Sequence, residues 1–244
     1  MKITVINGTE RKGCTHAMKE IFLSAMGEGN SVREYWLPRD CPAFCTGCKA
    51  CYFNNIEVCP HSQYTVPVWN DILAADLLVF TSPVYVFHVT AQMKALLDHY
   101  GTKWMAHSPE REMFGKQAVI ITNAIGQGMG KTAADIKDSL DFWGVAHTHI
   151  IKLALFQAEW EKVDVRRKNN FQKNCMRISE KIQSRKKVKP RLKIKGLFYM
   201  MKTVQKMIDR AERRAGREPT TDWQHWKKNG WMDGKKPWSR EIYE

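Results

Sequence analysis

The run Asp76-Leu-Leu-Val-Phe80 and the break after it at Ser82-Pro83 constrain this chain more than any other feature. The run is short, continuous and apolar, the pattern of a strand buried on both faces, as in parallel sheets covered by helices. Proline has no N–H for a ladder and holds its predecessor extended, so the chain leaves the sheet there. From about Thr90 the residues Ala91, Ala95, Leu96 and Tyr100 recur at helical spacing. The unit is strand, exposed loop, helix, and in open α/β sheets such loops at the carboxyl ends of strands bind ligands. This loop runs Pro83, Val84, Tyr85, Val86, Phe87, His88. Its aromatic surface beside a run of free amides suits a flat heteroaromatic ring.

The same unit repeats along the chain. Lys2 to Ile6 reads as a first strand, followed by Asn7-Gly-Thr-Glu-Arg-Lys-Gly-Cys-Thr15 and a helix marked by Ala17, Ile21, Phe22 and Ala25. A loop of this composition opening a helix offers amides, hydroxyls and a helix N-terminus to a phosphate. It fits neither the triphosphate nor the dinucleotide glycine pattern, so a monophosphate is the better match. Ser31 to Leu37 reads as a second strand, Gln117 to Thr122 as a fourth running into Asn123-Ala-Ile-Gly126, and His149 to Phe156 as a fifth. Five strands alternating with helices imply a doubly wound parallel sheet in the order 2-1-3-4-5, with the loops after strands one, three and four converging on one pocket.

Between the second and third strands the rhythm breaks at Cys45-x2-Cys48-x2-Cys51-x7-Cys59-Pro60. Three closely spaced thiolates wrapped by one loop, closed by a fourth from farther along, suit a [4Fe-4S] cubane. Structural zinc more often takes two separated pairs, and free thiols in a loop are the third reading. Cys41 lies near enough in sequence to replace Cys45 as first ligand. The chain opens straight into a strand without a signal-peptide pattern and has no 18-residue apolar run. The expected location is the cytoplasm, where seven cysteines point to metal ligation more than to disulfides.

Asn7 to Thr15 resembles the phosphate loop of the NADPH-dependent FMN reductase family. Ser82-Pro-Val-Tyr85 with Ala91-Gln-Met-Lys-Ala-Leu-Leu-Asp98 resembles its isoalloxazine loop and following helix, and the cysteine stretch resembles that of the iron-sulfur flavoproteins. The resemblance covers roughly residues 1–156. It implies a flavodoxin-like fold holding FMN, with Thr9, Arg11, Lys12, Gly13, Cys14 and Thr15 at the phosphate and Pro83 to His88, Asn123, Ala124 and Gly126 at the ring. Electrons would come from NAD(P)H. Cys14 stands where the family usually has a polar Asn or Ser, and Phe87-His88 replaces a Gly followed by a small polar residue. Hydride transfer needs no side-chain acid or base, so no catalytic residue is expected, and His88 reads as a packing or hydrogen-bonding residue.

The net charge of +14 is uneven: residues 1–156 carry 14 Lys and Arg against 14 Asp and Glu, and residues 157–244 carry 25 against 11. Residues 1–184 are expected to form the FMN-binding domain, its cysteine-rich insertion at 41–60 and its last helix over Glu159–Gln183. Residues 185–244 form a basic, Trp-rich helical extension. The segment Arg185 to Lys195 reads as an extended arm, followed by a helix from Gly196 with Leu197, Met201, Val204, Ile208 and Ala211 on one face. That stripe is expected to pack on the core or on a second subunit, in preference to an anionic membrane surface or nucleic acid. Trp223, Trp226, Trp231 and Trp238 are expected to be covered likewise. The expected activity is an FMN-dependent oxidoreductase delivering electrons to a small acceptor such as a quinone or nitroaromatic, in a homodimer or homotetramer. The alternatives are an electron carrier between protein partners such as ferredoxin, and a nucleic-acid-binding protein using the basic arm.

Overall fold

The structure, a computed structural model, describes residues 1–185 and 188–239. Five parallel strands, β1 (Lys2–Asn7), β2 (Ser31–Trp36), β3 (Leu77–Pro83), β4 (Gln117–Ala124) and β5 (His147–Ala154), lie in the expected order β2-β1-β3-β4-β5. Among the described residues eight α-helices connect and flank them: α1 (Cys14–Ala25), α2 (Ala50–Phe53), α3 (Ser62–Ala74), α4 (Ala91–His99), α5 (Met129–Trp143), α6 (Val165–Gln183), α7 (Leu192–Arg214) and α8 (Thr221–Lys228). Among the described residues no helix is long and apolar enough to cross a membrane.

The central strands are apolar on both faces because both faces are covered. Leu78, Phe80, Ala118 and Ile120 pack with Trp69 and Ile72 of α3, Met93 and Leu96 of α4, and Ile136, Leu140 and Trp143 of α5. Their neighbours Leu77, Val79, Val119 and Ile121 point the opposite way, against Met18 and Phe22 of α1 and Phe171, Cys175, Ile178 and Ile182 of α6. A third cluster joins the extension to this body, with Met105 and Phe114 meeting Ile194, Phe198, Trp226 and Trp231.

The extension departs from expectation in three places. α6 starts at Val165, not Glu159, because the Asp164 carboxylate caps it by accepting from the Arg167 amide. α7 starts at Leu192 within the segment expected to be an extended arm, because Ile194 is drawn into the third cluster; Lys186 and Lys187 of that arm lie outside the described residues. The apolar stripe expected to be covered is covered only in part: Leu197 and Met201 are partly buried against the third cluster. The buried face of α7 is Ile194, Phe198, Gln205 and Asp209, while Val204, Ile208 and Ala211 face outward.

Candidate functional site

Three loops meet at the carboxyl edge of the sheet. Gly8 ends β1, its amide donating to Thr81 O at 2.7 Å and its carbonyl accepting from Thr90 Oγ1 at 2.6 Å. A Cβ on Gly8 would stand 2.7 Å from Thr81 O, so only glycine lets the first loop lie this close to the third strand. The loop enters α1 through Gly13, which gives the helix no side-chain cap. No N-cap side chain therefore takes up the first-turn amides of α1, which leaves this end of the helix open to an anion. Asn123 at the end of β4 donates to Thr15 Oγ1 at 2.7 Å, fixing the fourth strand to the first turn of α1.

A cavity of about 170 Å³ forms where these elements meet, lined by Thr9, Arg11, Gly13, Cys14, Thr15, Pro83, Val84, Tyr85, Asn123 and Ala124, together with Ile125, Leu155, Gln157 and Ala158. Ten of the residues singled out from sequence are thus brought together. Lys12, Val86, Phe87, His88 and Gly126 are not among the lining residues. For Val86, Phe87 and His88 the physical reason is a two-residue hairpin in which the Tyr85 amide donates to His88 O and the His88 amide returns to Tyr85 O. Its central residues Val86 and Phe87 both have positive φ, 49° and 67°, a costly conformation for a β-branched and an aromatic residue. The turn directs Phe87 against α5, where its carbonyl accepts from Thr132 Oγ1 and its ring packs near Gly128. His88 Nδ1 lies 3.0 Å from Asp135 Oδ2, whose oxygen also accepts from the Val89 amide.

The run of free amides expected in this loop is not there. The amides of Val84, Tyr85, His88, Val89 and Thr90 donate to Asn123 O, His88 O, Tyr85 O, Asp135 Oδ2 and Ser82 Oγ respectively. Donors for an anion come from the α1 end instead. The Cys14 thiol donates to Ala158 O at 3.5 Å, tying the loop after β5 to α1, and burial raises its pKa. That fourth loop contains no glycine to mark it in the sequence. The signal available was topological, since β5 runs parallel beside β4 and must end at the same edge.

The cysteine stretch forms a second, larger site. Cys45, Cys48, Cys51 and Cys59 all line one cavity of about 630 Å³ with Tyr52, Phe53, His61, His99, His107 and, from α8 and its cap, Thr220, Thr221 and Asp222. All seven cysteines are free thiols. Cys51 is shifted upward first by burial and then by the nearness of Cys59, Cys45 and Cys48. Cys41 is not at this wall. It is 3% exposed within the first core cluster, and burial pushes its thiol up to about 11. The cavity is closed from the far end of the sequence: Thr221 Oγ1 donates to Tyr52 O at 2.8 Å, and His107 Nδ1 lies 2.9 Å from Asp222 Oδ2. Among the described residues, the group of three or more metal-capable atoms gathered at single-ion distance is Cys59, His61 and His99, all within 4.8 Å of one another. Neutral His99 donates from Nε2 to Ala43 O, leaving Nδ1 facing Cys59 Sγ, and burial lowers its pKa. The histidines and the α8 wall carry no spacing signature and were not found from sequence.

The strand order, the helices on both faces and the converging loops define the flavodoxin-like class of α/β proteins. The chain belongs to the NADPH-dependent FMN reductase family, whose model matches residues 1–162. Two curated relatives are iron-sulfur flavoproteins. One, from Methanocaldococcus jannaschii, is 32% identical over 99 residues, 40% of this chain and 50% of that protein; the other, from Methanosarcina thermophila, is 30% identical over 100 residues, 40% of this chain and 51% of that protein. The chain thus spans about half the length of the curated relatives it matches. Among solved structures, an FMN-dependent NADH-azoreductase from Bacillus anthracis in complex with FMN superposes with a TM-score of 0.56, at 13% identity, over 75% of this chain and 99% of that one. At that identity the likeness is one of fold.

Proposed function

We propose that this chain is an FMN-dependent oxidoreductase that takes electrons from NAD(P)H and passes them to a small acceptor, and that its cysteine cavity holds a [4Fe-4S] cluster. The observation that carries the reading is the convergence of the loops after β1, β3 and β4 on one cavity at the uncapped end of α1. The lining suits the cofactor. Free helical amides, the hydroxyls of Thr9 and Thr15 and the Arg11 guanidinium match a phosphate, while Val84, Tyr85 and Ile125 give the opposite wall an apolar surface for a ring. FMN, when bound, accepts two electrons from a nicotinamide and releases them singly or in pairs. The residues of the chain would bind and orient it, Thr9, Thr15 and Arg11 at the phosphate and Val84, Tyr85 and Ile125 against the ring.

The donor set of the second cavity fits a cubane better than one zinc ion. In a cubane each thiolate takes its own iron, so the sulfurs stand apart, and Cys45, Cys48 and Cys51 lie outside the tight Cys59, His61, His99 group. Cys45 rather than the core residue Cys41 supplies the first ligand. Residues 1–184 form the FMN-binding domain, with the extension packed on it and supplying one wall of the cysteine cavity.

The test is anaerobic purification with iron analysis and visible spectra of the wild type, Cys45→Ser and Cys41→Ser. Bound FMN in all three, with iron retained in Cys41→Ser and lost in Cys45→Ser, is the expected result. Colourless protein that takes up no added FMN would refute the flavin assignment, and iron lost from Cys41→Ser alone would reverse the ligand assignment.

A further inference from the structure

α7 is attached to the body by one arc of its surface and leaves another arc unused. Ile194, Phe198, Gln205 and Asp209 form the attached side. Facing out are Met200, Val204 and Ile208 at four-residue spacing, with Met207 beside them; Met207 is 63% and Met200 48% exposed. Next to this apolar ridge runs a second row at the same spacing, Lys202, Lys206, Arg210 and Arg214. A helix therefore displays an apolar ridge and a cationic ridge side by side.

The cations of this row differ from their neighbours in lacking partners. Arg213 pairs with Asp209 at 2.8 Å and Lys193 with Asp141 at 2.7 Å, whereas none of the four makes a direct ion pair among the described residues, Asp233 acting on Lys202 only at longer range. Like charges four residues apart on a helix repel. Burial and the neighbouring Lys206 both push the Lys202 pKa down. At the carboxyl end of α7 the cationic surface continues into a shallow hollow where Arg213, Lys227 and Lys228 surround Trp223. An indole among cations suits the boundary between lipid headgroups and water.

We propose that this outward face of α7 binds the surface of an anionic lipid bilayer, with Met200, Val204, Met207 and Ile208 entering the headgroup layer and Lys202, Lys206, Arg210 and Arg214 meeting lipid phosphates. The charge decides among occupants. A second copy would bring the same cation row and another +14 against this face. A nucleic-acid backbone would satisfy the cations but has no use for an exposed ridge of Met, Val and Ile. An interfacial helix with an apolar side and a basic side is the arrangement that combines burial with attraction to anionic lipid.

The experiment is co-sedimentation of the full chain with phosphatidylcholine vesicles and with vesicles one third phosphatidylglycerol, repeated at rising salt. Binding to the anionic vesicles alone, weakening as salt rises, is expected. Lys206→Ala with Arg210→Ala should weaken it about 25-fold, about fivefold for each cation. Met200→Ser with Met207→Ser should weaken it at least about tenfold with an unchanged thermal melt, because both side chains are exposed in the free protein. Failure to bind the anionic vesicles overturns the proposal, as does unaltered binding of the methionine variant. A dimer in sedimentation velocity that Met207→Ser splits would assign the face to a second copy. Equal affinity for duplex DNA, indifferent to the methionines, would assign it to nucleic acid.

Discussion

Gly128 and Gly130 stand two residues apart at the start of α5, and alanine at each should change stability in opposite directions. Gly128 has φ +99°, and a Cβ there would lie 2.6 Å from Val84 Cγ1, 3.1 Å from Phe87 Cα and 3.2 Å from Phe87 Cδ1. The left-handed backbone costs an alanine about 1–2 kcal/mol. Val84 can turn its methyl aside, but Phe87 Cα is backbone in a turn that is already strained, so overpacking adds about 1–3 kcal/mol. The lower entropy of the unfolded chain returns about 0.4–1 kcal/mol, for a net loss of about 1–5 kcal/mol. At Gly130 a Cβ meets nothing within 4 Å inside a helix, and alanine should stabilise by up to about 1 kcal/mol. Urea unfolding of the two variants beside the wild type measures both. The strain at residue 128 bears on Val84 and, through the hairpin, on Tyr85, which line the candidate flavin cavity. FMN affinity, followed by quenching of its fluorescence, should therefore fall at least about tenfold in Gly128→Ala and stay unchanged in Gly130→Ala. A Gly128→Ala protein as stable as the wild type would refute the reasoning that glycine is required by the packing of the hairpin.

Val86 is 91% exposed at φ 49°, so Val86→Asn gives up no burial and relieves a β-branched residue from a left-handed turn. It should stabilise by about 1 kcal/mol, raising the melting temperature by about 2–4 °C. Burial, and the positive neighbours His147, Lys181, Arg191 and Arg177, lower the His149 pKa to about 4. The unfolded chain therefore binds this proton first, and stability falls as pH drops from about 6.5 toward about 4. His149→Gln should flatten that part of the urea midpoint against pH, and an identical slope in the variant would remove His149 as the cause.

The sheet was legible because each strand announces itself in its own residues: an apolar run, a break at Pro83 or Gly8, then helical spacing. The cysteine cavity was half legible, since four thiols carry their spacing but the histidines around them come from distant elements. What could not be read locally depends on tertiary burial. Ile194 joined a helix because Phe198 and Trp226 gave it a covered place, and nothing in the alternating Arg, Leu, Lys, Ile pattern of residues 191–194 says so. Likewise the tip of the Tyr85–His88 hairpin faces α5 because Asp135 and Thr132 hold it there, contacts 45 or more residues away in the chain.

The Thr221 hydroxyl that reaches the Tyr52 carbonyl lies 169 positions downstream of it. During synthesis the cysteine loop is therefore made long before its last wall exists, and the cavity is complete only once α8 has been translated and has docked. A chain cut short before Thr220 would keep every thiol of the cavity and lose the part of its lining that α8 and its cap supply.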